Sequence, residues 1–255
     1  MQLSISVMRK INLLFVCILA TLLFLTIVSF TQAQTTKKVL ELPDFKGIYV
    51  NSGYTVYLKQ TNKQEVTVEA LTEIFQLSEI KVENGILMIN VERKPDSPNK
   101  SIWAKIDDIK VNPTMKLFVS VKSISELQVN GSGKVVSENS ISADNLILGV
   151  SGSGSIDLDI KGNVVATDIG GSGNVTLKGY ATSNDIKMSG SGNLYAFACE
   201  LENARVKLAG SGNGEINVTN TLEATVMGSG ALKHKGNTKN LAKKVYGSGS
   251  VERSY

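Results

Sequence analysis

A Gly-Ser-Gly triplet occurs seven times in the C-terminal half of this chain, and its near-constant interval limits what the chain can fold into. The triplets begin at Gly131, Gly152, Gly171, Gly190, Gly210, Gly228 and Gly247, spaced by 21, 19, 19, 20, 18 and 19 residues. Flexible Gly/Ser linkers cluster such triplets and do not flank them with apolar residues at fixed offsets. Here the residue two before each triplet is Val129, Val150, Ile169, Met188, Leu208, Val226 or Val245, apolar every time. Four before stand Leu127, Leu148, Thr167, Ile186, Val206, Ala224 and Lys243, apolar except at Thr167 and Lys243. Beyond the triplet come Val135, Ile156, Val175, Leu194, Leu232 and Val251, while the coil of Gly210 has Gly214 there, followed by Ile216 and Val218. Alternation on both sides of a turn predicts strand, turn and strand, each strand burying one face.

A repeat of about 19 residues cannot bury that face alone, so neighbours must stack. The spacing therefore predicts an all-β solenoid with one coil per repeat and equivalent residues about 4.8 Å apart. Six such steps give a rod segment of roughly 29 Å, with a buried column from Val129 to Val245. The structural turn residues are Gly131, Gly133, Gly152, Gly154, Gly171, Gly173, Gly190, Gly192, Gly210, Gly212, Gly228, Gly230, Gly247 and Gly249. They would supply positive φ or close backbone approach at a corner. Asn174, Asn193 and Asn213 follow three successive triplets and are placed to form a side-chain ladder.

Residues 34–128 lack the triplet but also read as β. Tyr54, Val56 and Leu58 alternate, as do Val66, Val68 and Ala70. Ile80 and Val82 lead through Asn84-Gly85 to Leu87, Ile89 and Val91, a hairpin pattern. Leu71 to Ser78 suits one or two helical turns, Lys94 to Lys100 a loop, and Leu117 to Val121 a strand entering the repeats. This head region is expected to cap the solenoid of residues 129–255 and to share one continuous domain with it, over about residues 40–250.

The first 33 residues form a separate segment. Arg9-Lys10, the apolar run Ile11–Phe30 and Thr31-Gln32-Ala33 follow the order of a secretory signal peptide, with an uncleaved anchor as the alternative. Cys17 lies early in the run after Phe15-Val16, which is not a lipidation site. Removing the segment takes away two basic residues and no acidic ones, lowering the net charge from +4 to +2. Such low, mixed charge points to neither nucleic acid nor an anionic membrane surface, and membrane contact is expected only through the signal or anchor. Cys199 would then be the only cysteine, so no internal disulfide forms, and His234 is the only histidine.

Taken together, Phe45-Lys46-Gly47-Ile48-Tyr49-Val50, Tyr54-Thr55-Val56-Tyr57-Leu58-Lys59-Gln60, Val66-Thr67-Val68-Glu69-Ala70 and Val82-Glu83-Asn84-Gly85-Ile86-Leu87 precede the triplets in a recognisable order. Over about residues 40–250 the chain resembles the auto-transporter adhesin family with a head GIN domain, common in Bacteroidetes. The resemblance implies a right-handed parallel β-helix, shaped like pectin lyases but without their catalytic residues, and a role in adhesion. It transfers no functional residues. No translocating barrel follows the seventh triplet, so self-transport is not expected of this chain alone.

Several residues invite a functional reading. Asp157 and Asp159 would both point outward, roughly 6.5–7 Å apart, near the lower limit for an inverting glycosidase pair. The column through Asp157 would continue as Thr176, Tyr195 and Glu215, with no Arg or Lys nearby, so a solvated strand face is the reading adopted. Calcium-binding β-rolls need a nine-residue period with Asp after the glycines, and neither is present. Asp107, Asp108 and Trp103 read as a surface loop, and Cys199 as an inert residue between strands. Tyr49, Tyr54, Tyr57, Tyr195 and Tyr246 are possible sugar platforms but are also ordinary strand residues. No catalytic, cofactor or metal site is named, and the expected ligand is a glycan or a surface protein, with oligomeric state open. The rival readings are a β-helix polysaccharide lyase or hydrolase, and a periplasmic structural or stress-linked protein.

Overall fold

The computed structural model describes residues 34–92 and 114–254. The signal segment, the 94–100 loop and the Trp103/Asp107/Asp108 group lie outside these residues. From the first triplet onward, chain order is coil order. Strands β8 (Glu126–Val129), β9 (Lys134–Ser137) and β10 (Ile141–Gly152) lead into four long bent strands: β11 (Ser155–Gly171), β12 (Asn174–Gly190), β13 (Asn193–Gly210) and β14 (Asn213–Gly228). β15 (Ala231–Lys235), β16 (Asn240–Gly247) and β17 (Ser250–Arg253) complete the series. Successive coils pair in parallel, for example Ile156↔Val175 and Ile169↔Met188. This is the all-β solenoid that the 19-residue period predicts.

Pairing between coils is interrupted twice per turn, at the triplet and near Asp144, Asn163 and Thr182. Each coil thus has one wall before the triplet and one after it. Inward residues of both walls enter a single core, including Leu148, Ile169, Val175, Leu194, Val206 and Val226. Thr167, the polar inward residue in the middle of the stack, is buried and donates to Asn184 Oδ1 at 3.1 Å.

In the N-terminal half, chain order and coil order part company. β2 (Gly47–Val50) and β3 (Thr55–Gln60) form a coil that is clasped from both sides by later strands. β6 (Ile86–Val91) and β7 (Met115–Val121) pair beneath it, and β8 and β9 above it. No local pattern announces this interleaving, because each strand satisfies its alternation in any layer. The turn Asn51-Ser52-Gly53 accordingly stacks under the first triplet, and buried Tyr54 occupies the level of Gly133.

The N-terminal end is closed by antiparallel strands. β4 (Glu65–Leu71) pairs with β7 and with β1 (Thr35–Leu40), while β5 (Ser78–Glu83) pairs with β6 across the Asn84-Gly85 turn. Positive φ at both turn residues, 52° and 75°, matches the hairpin geometry their sequence favours. Between β4 and β5 lies α1 (Thr72–Leu77), which buries Ile74. At the other end the expected column stops short. Val226 is fully buried, but Val245 is 40% exposed, because no layer among the described residues covers the inner face of the last described coil.

Candidate binding surface

The triplet corners explain why the walls are so regular. At Gly171 φ is 86°, a left-handed value that a side chain rarely adopts, and the same sign recurs at the first glycine of each later triplet. The third glycine has a different constraint, close approach. At Gly133 a Cβ would sit 2.6 Å from Ser52 O and Val50 Cγ1, and 2.8 Å from Tyr54 O. Just beyond the corner, Asn193 Nδ2 donates to Asn174 Oδ1 at 3.0 Å, and Asn213 Nδ2 to Asn193 Oδ1 at 3.3 Å. A second ladder that the sequence reading missed runs on the other side of the corner. Asn130 Nδ2 donates to Asn51 Oδ1 and Asn51 Nδ2 to Asn90 Oδ1, both at 2.8 Å. Its signal was an Asn before the turn, but interleaving separates the three by 39 and 79 residues.

With the corners fixed, outward side chains after the triplet line up in one column. Phe118, Tyr57, Val136, Asp157, Thr176, Tyr195, Glu215, Lys233 and Glu252 are successive register partners. The Tyr57 and Phe118 rings stack with centroids 5.2 Å apart, and Lys37 Nζ lies 6.0 Å from the Phe118 ring. Tyr195, four layers from Tyr57, is 43% exposed. The column above Asp157 is the one expected, but its surroundings are not. Lys178 Nζ stands 3.5 Å from Asp157 Oδ1, because the neighbouring outward column brings Lys178 beside it. The carboxylate therefore has a cation partner that adjacent-layer reasoning along one column could not find.

The remaining tyrosines differ in role. Tyr54 is buried, with its hydroxyl 2.8 Å from Ser78 Oγ, so it belongs to the core. Tyr49 donates to Glu126 Oε1 at 2.6 Å, and that bond together with burial raises its pKa. Tyr246 is 59% exposed on the last coil.

Residues 44–238 match the family model described as "Putative auto-transporter adhesin, head GIN domain". The chain belongs to this family. Solved structures with the same fold include a "putative adhesin" from Bacteroides fragilis, 20% identical with a TM-score of 0.76. Others are a "putative lipid binding protein" from Parabacteroides distasonis, 21% identical with a TM-score of 0.67, and a "putative adhesin" from Parabacteroides merdae, 18% identical with a TM-score of 0.63. Each comparison covers 88% of this chain and 98% of the other. No curated protein matches.

Two of the open clefts among the described residues of this head GIN chain lie apart from the outer column. One, of about 510 Å³, lies in the head between Asp44–Gly47, Asn84–Ile86 and Lys122–Glu126. The other, of about 490 Å³, follows the second corner past Asp144, Lys161, Asn163 and Tyr180. Asn163 Nδ2 donates to Asp144 Oδ1 at 3.0 Å there, so part of its polar lining is already engaged. Among the described residues no group of three His, Cys, Asp or Glu is placed to hold a metal, and no helix is long and apolar enough to cross a membrane.

Cys199 does not lie between strands. It is inside β13, fully buried where the register slips around Ala196–Glu200, and burial pushes its thiol pKa up to about 12, with Asp159 adding to the rise. His234 is also buried, on an inward position of β15, and its Nδ1 has no hydrogen-bond partner among the described residues. Burial lowers its pKa, and the nearby Arg253 and Lys243 cations lower it further.

Proposed function

We propose that this chain is a non-catalytic surface or envelope protein that holds a glycan or a surface protein on the outer face after the triplet. The observation that carries this reading is the outward column that begins with stacked Phe118 and Tyr57 and reaches exposed Tyr195. Four steps of about 4.8 Å put Tyr57 and Tyr195 roughly 19 Å apart, so an extended ligand along the rod could meet both. Between them the Asp157–Lys178 pair and Thr176 offer polar contacts. Aromatic anchors flanking polar groups suit a ligand that has both apolar faces and hydroxyls or amides.

The test is a screen of the purified protein against glycans, matrix proteins and lipid vesicles, repeated with Tyr57→Ala and Tyr195→Ala. Each substitution should weaken binding by about tenfold, the scale of a modest anchor loss. No binding at high protein concentration, or binding indifferent to both tyrosines, would sink the proposal. Polysaccharide cleavage that disappears in Asp157→Asn would replace it with the enzymatic reading. Protease accessibility in intact cells then separates exposure at the surface from a periplasmic site.

A further inference from the structure

The last described coil differs from every other layer, and the difference is chemical as well as positional. Among the described residues β16 pairs only with β14, and β17 only with β15, so both present an edge with no described partner. By register, Leu241, Lys243 and Val245 continue the inward positions of Leu222, Ala224 and Val226. Likewise Val251 and Arg253 continue those of Leu232 and His234. Leu241 is 45% and Val245 40% exposed, whereas the residues beneath them are buried. An edge with an uncovered apolar inner face would normally invite another strand.

Two cations restrict which strand. An apolar coil placed here would bury Lys243 and Arg253, neither of which has a carboxylate partner among the described residues, at a large desolvation cost. Beneath Arg253 lies His234, buried and with an unpartnered Nδ1. Residues 231–254 carry six basic side chains and one acidic one, Glu252. Whatever covers this end must bring both apolar side chains and negative charge.

A second copy of the chain fits poorly. Two such ends face to face would set Lys243 and Arg253 against their own equivalents. Stacking end on opposite end fails for a different reason. The wall ending in β17 continues past β3 at the far end by three strands, β7, β4 and β1. The wall ending in β16 continues past β2 by only two, β6 and β5. Seating β5 of one copy on β16 of another would drive β1 into β17.

We propose that this end is a docking edge for an extended acidic segment of a partner protein, which adds a strand to β16. Backbone pairing would supply the hydrogen bonds; on the inward side of that strand, apolar residues four apart would cover Leu241 and Val245, and the carboxylates alternating with them would meet Lys243 and Arg253. The inward cations make the edge selective, since they repel basic strands and leave purely apolar ones with two buried charges. This docking end is independent of the tyrosine column on the outer face.

A labelled synthetic peptide of repeating Val-Thr-Glu-Thr, which sets Val and Glu alternately on one face of a strand, is the Glu/Val probe, read by fluorescence anisotropy with the purified protein. The same repeat with Lys in place of Glu (the Lys/Val peptide), polyglutamate, and phosphatidylglycerol vesicles serve as comparisons. The Glu/Val peptide should bind and the Lys/Val peptide should not, with affinity falling as salt rises. The Lys243→Glu/Arg253→Glu variant should lose at least about tenfold in affinity for Glu/Val and gain the Lys/Val peptide. Both side chains are exposed, so its melting curve should remain that of the wild type. Leu241→Glu should weaken Glu/Val binding without creating Lys/Val binding. The proposal is overturned if Glu/Val does not bind, or if polyglutamate or vesicles bind equally well. Dependence on Tyr57 or Tyr195 overturns it too, as does self-association that disappears in the double variant.

Discussion

Replacing Gly133 with Ala tests whether the corners are set by close approach and not merely by flexibility. The added Cβ would lie 2.6 Å from Ser52 O, at least about 0.4 Å inside the 3.0 Å that real Cβ atoms keep. Backbone cannot rotate out of the way as a side chain can, so the β8–β9 corner must lift off the β2–β3 corner. That movement strains two bonds across the junction, Asn130 N to Val50 O at 2.9 Å and Lys134 N to Tyr54 O at 3.0 Å. Overpacking costs about 1–3 kcal/mol and each weakened backbone bond up to about 1 kcal/mol, so about 3 kcal/mol is the expected loss. For a unit of this size that corresponds to a fall in Tm of roughly 6–12 °C, read by circular dichroism. Gly170→Ala is the matched control. Its Cβ would come no nearer than 3.8 Å to Ser189 Oγ or Val150 O, and it should be neutral or stabilising by about 0.4–1 kcal/mol. If Gly133→Ala melts within about 2 °C of wild type, the contact does not govern the corner and the reasoning is wrong.

Two further outcomes follow from buried titratable groups. His234 has a pKa below its ordinary 6.5, so the unfolded chain takes up a proton more readily than the folded one as pH falls. Stability should therefore be full above about pH 6.5 and decline as pH drops from there through the depressed value. His234→Leu should flatten that part of a Tm-versus-pH series, and an unchanged slope would refute the assignment. Cys199, with its thiol pushed up to about 12 and its side chain buried, should resist thiol reagents at neutral pH and react on unfolding. Rapid labelling of Cys199 in the native protein would contradict the burial.

What the sequence made legible was whatever depends on neighbours along the chain or one period away. Val129, Ile169 and Val226 could be assigned to a buried column because the triplet recurs next to each, and the Asn174–Asn193–Asn213 ladder has the same origin. Asn84-Gly85 disclosed its hairpin because positive φ is a local demand. The insertion of β2 and β3 between later strands could not be read, since alternation marks a face and not a layer. For the same reason the Asn90–Asn51–Asn130 ladder stayed hidden. Lys178 beside Asp157 was missed because the contact crosses both a layer and a column. Val245 was misjudged because period alone does not say which layer is the last one covered.

The two faces of one strand show where specificity can be written on such a rod. The inward column beside Asp157 runs Leu117, Val56, Val135, Ile156, Val175, Leu194, Gly214, Leu232 and Val251, aliphatic at every layer but one. One residue along, the outward column carries aromatic, acidic, basic, hydroxyl and aliphatic groups at the same nine levels. Stacking fixes the first series, because each layer must fill the same cross-section, and leaves the second free to vary. A fold shared at about 20% identity is what such a division of constraint allows. If the outer column is the binding face proposed above, ligand choice depends on which outward residues fall in line, so replacing Tyr57 and Tyr195 with Ala should alter binding without loosening the core. Changes at the corner glycines would do the reverse.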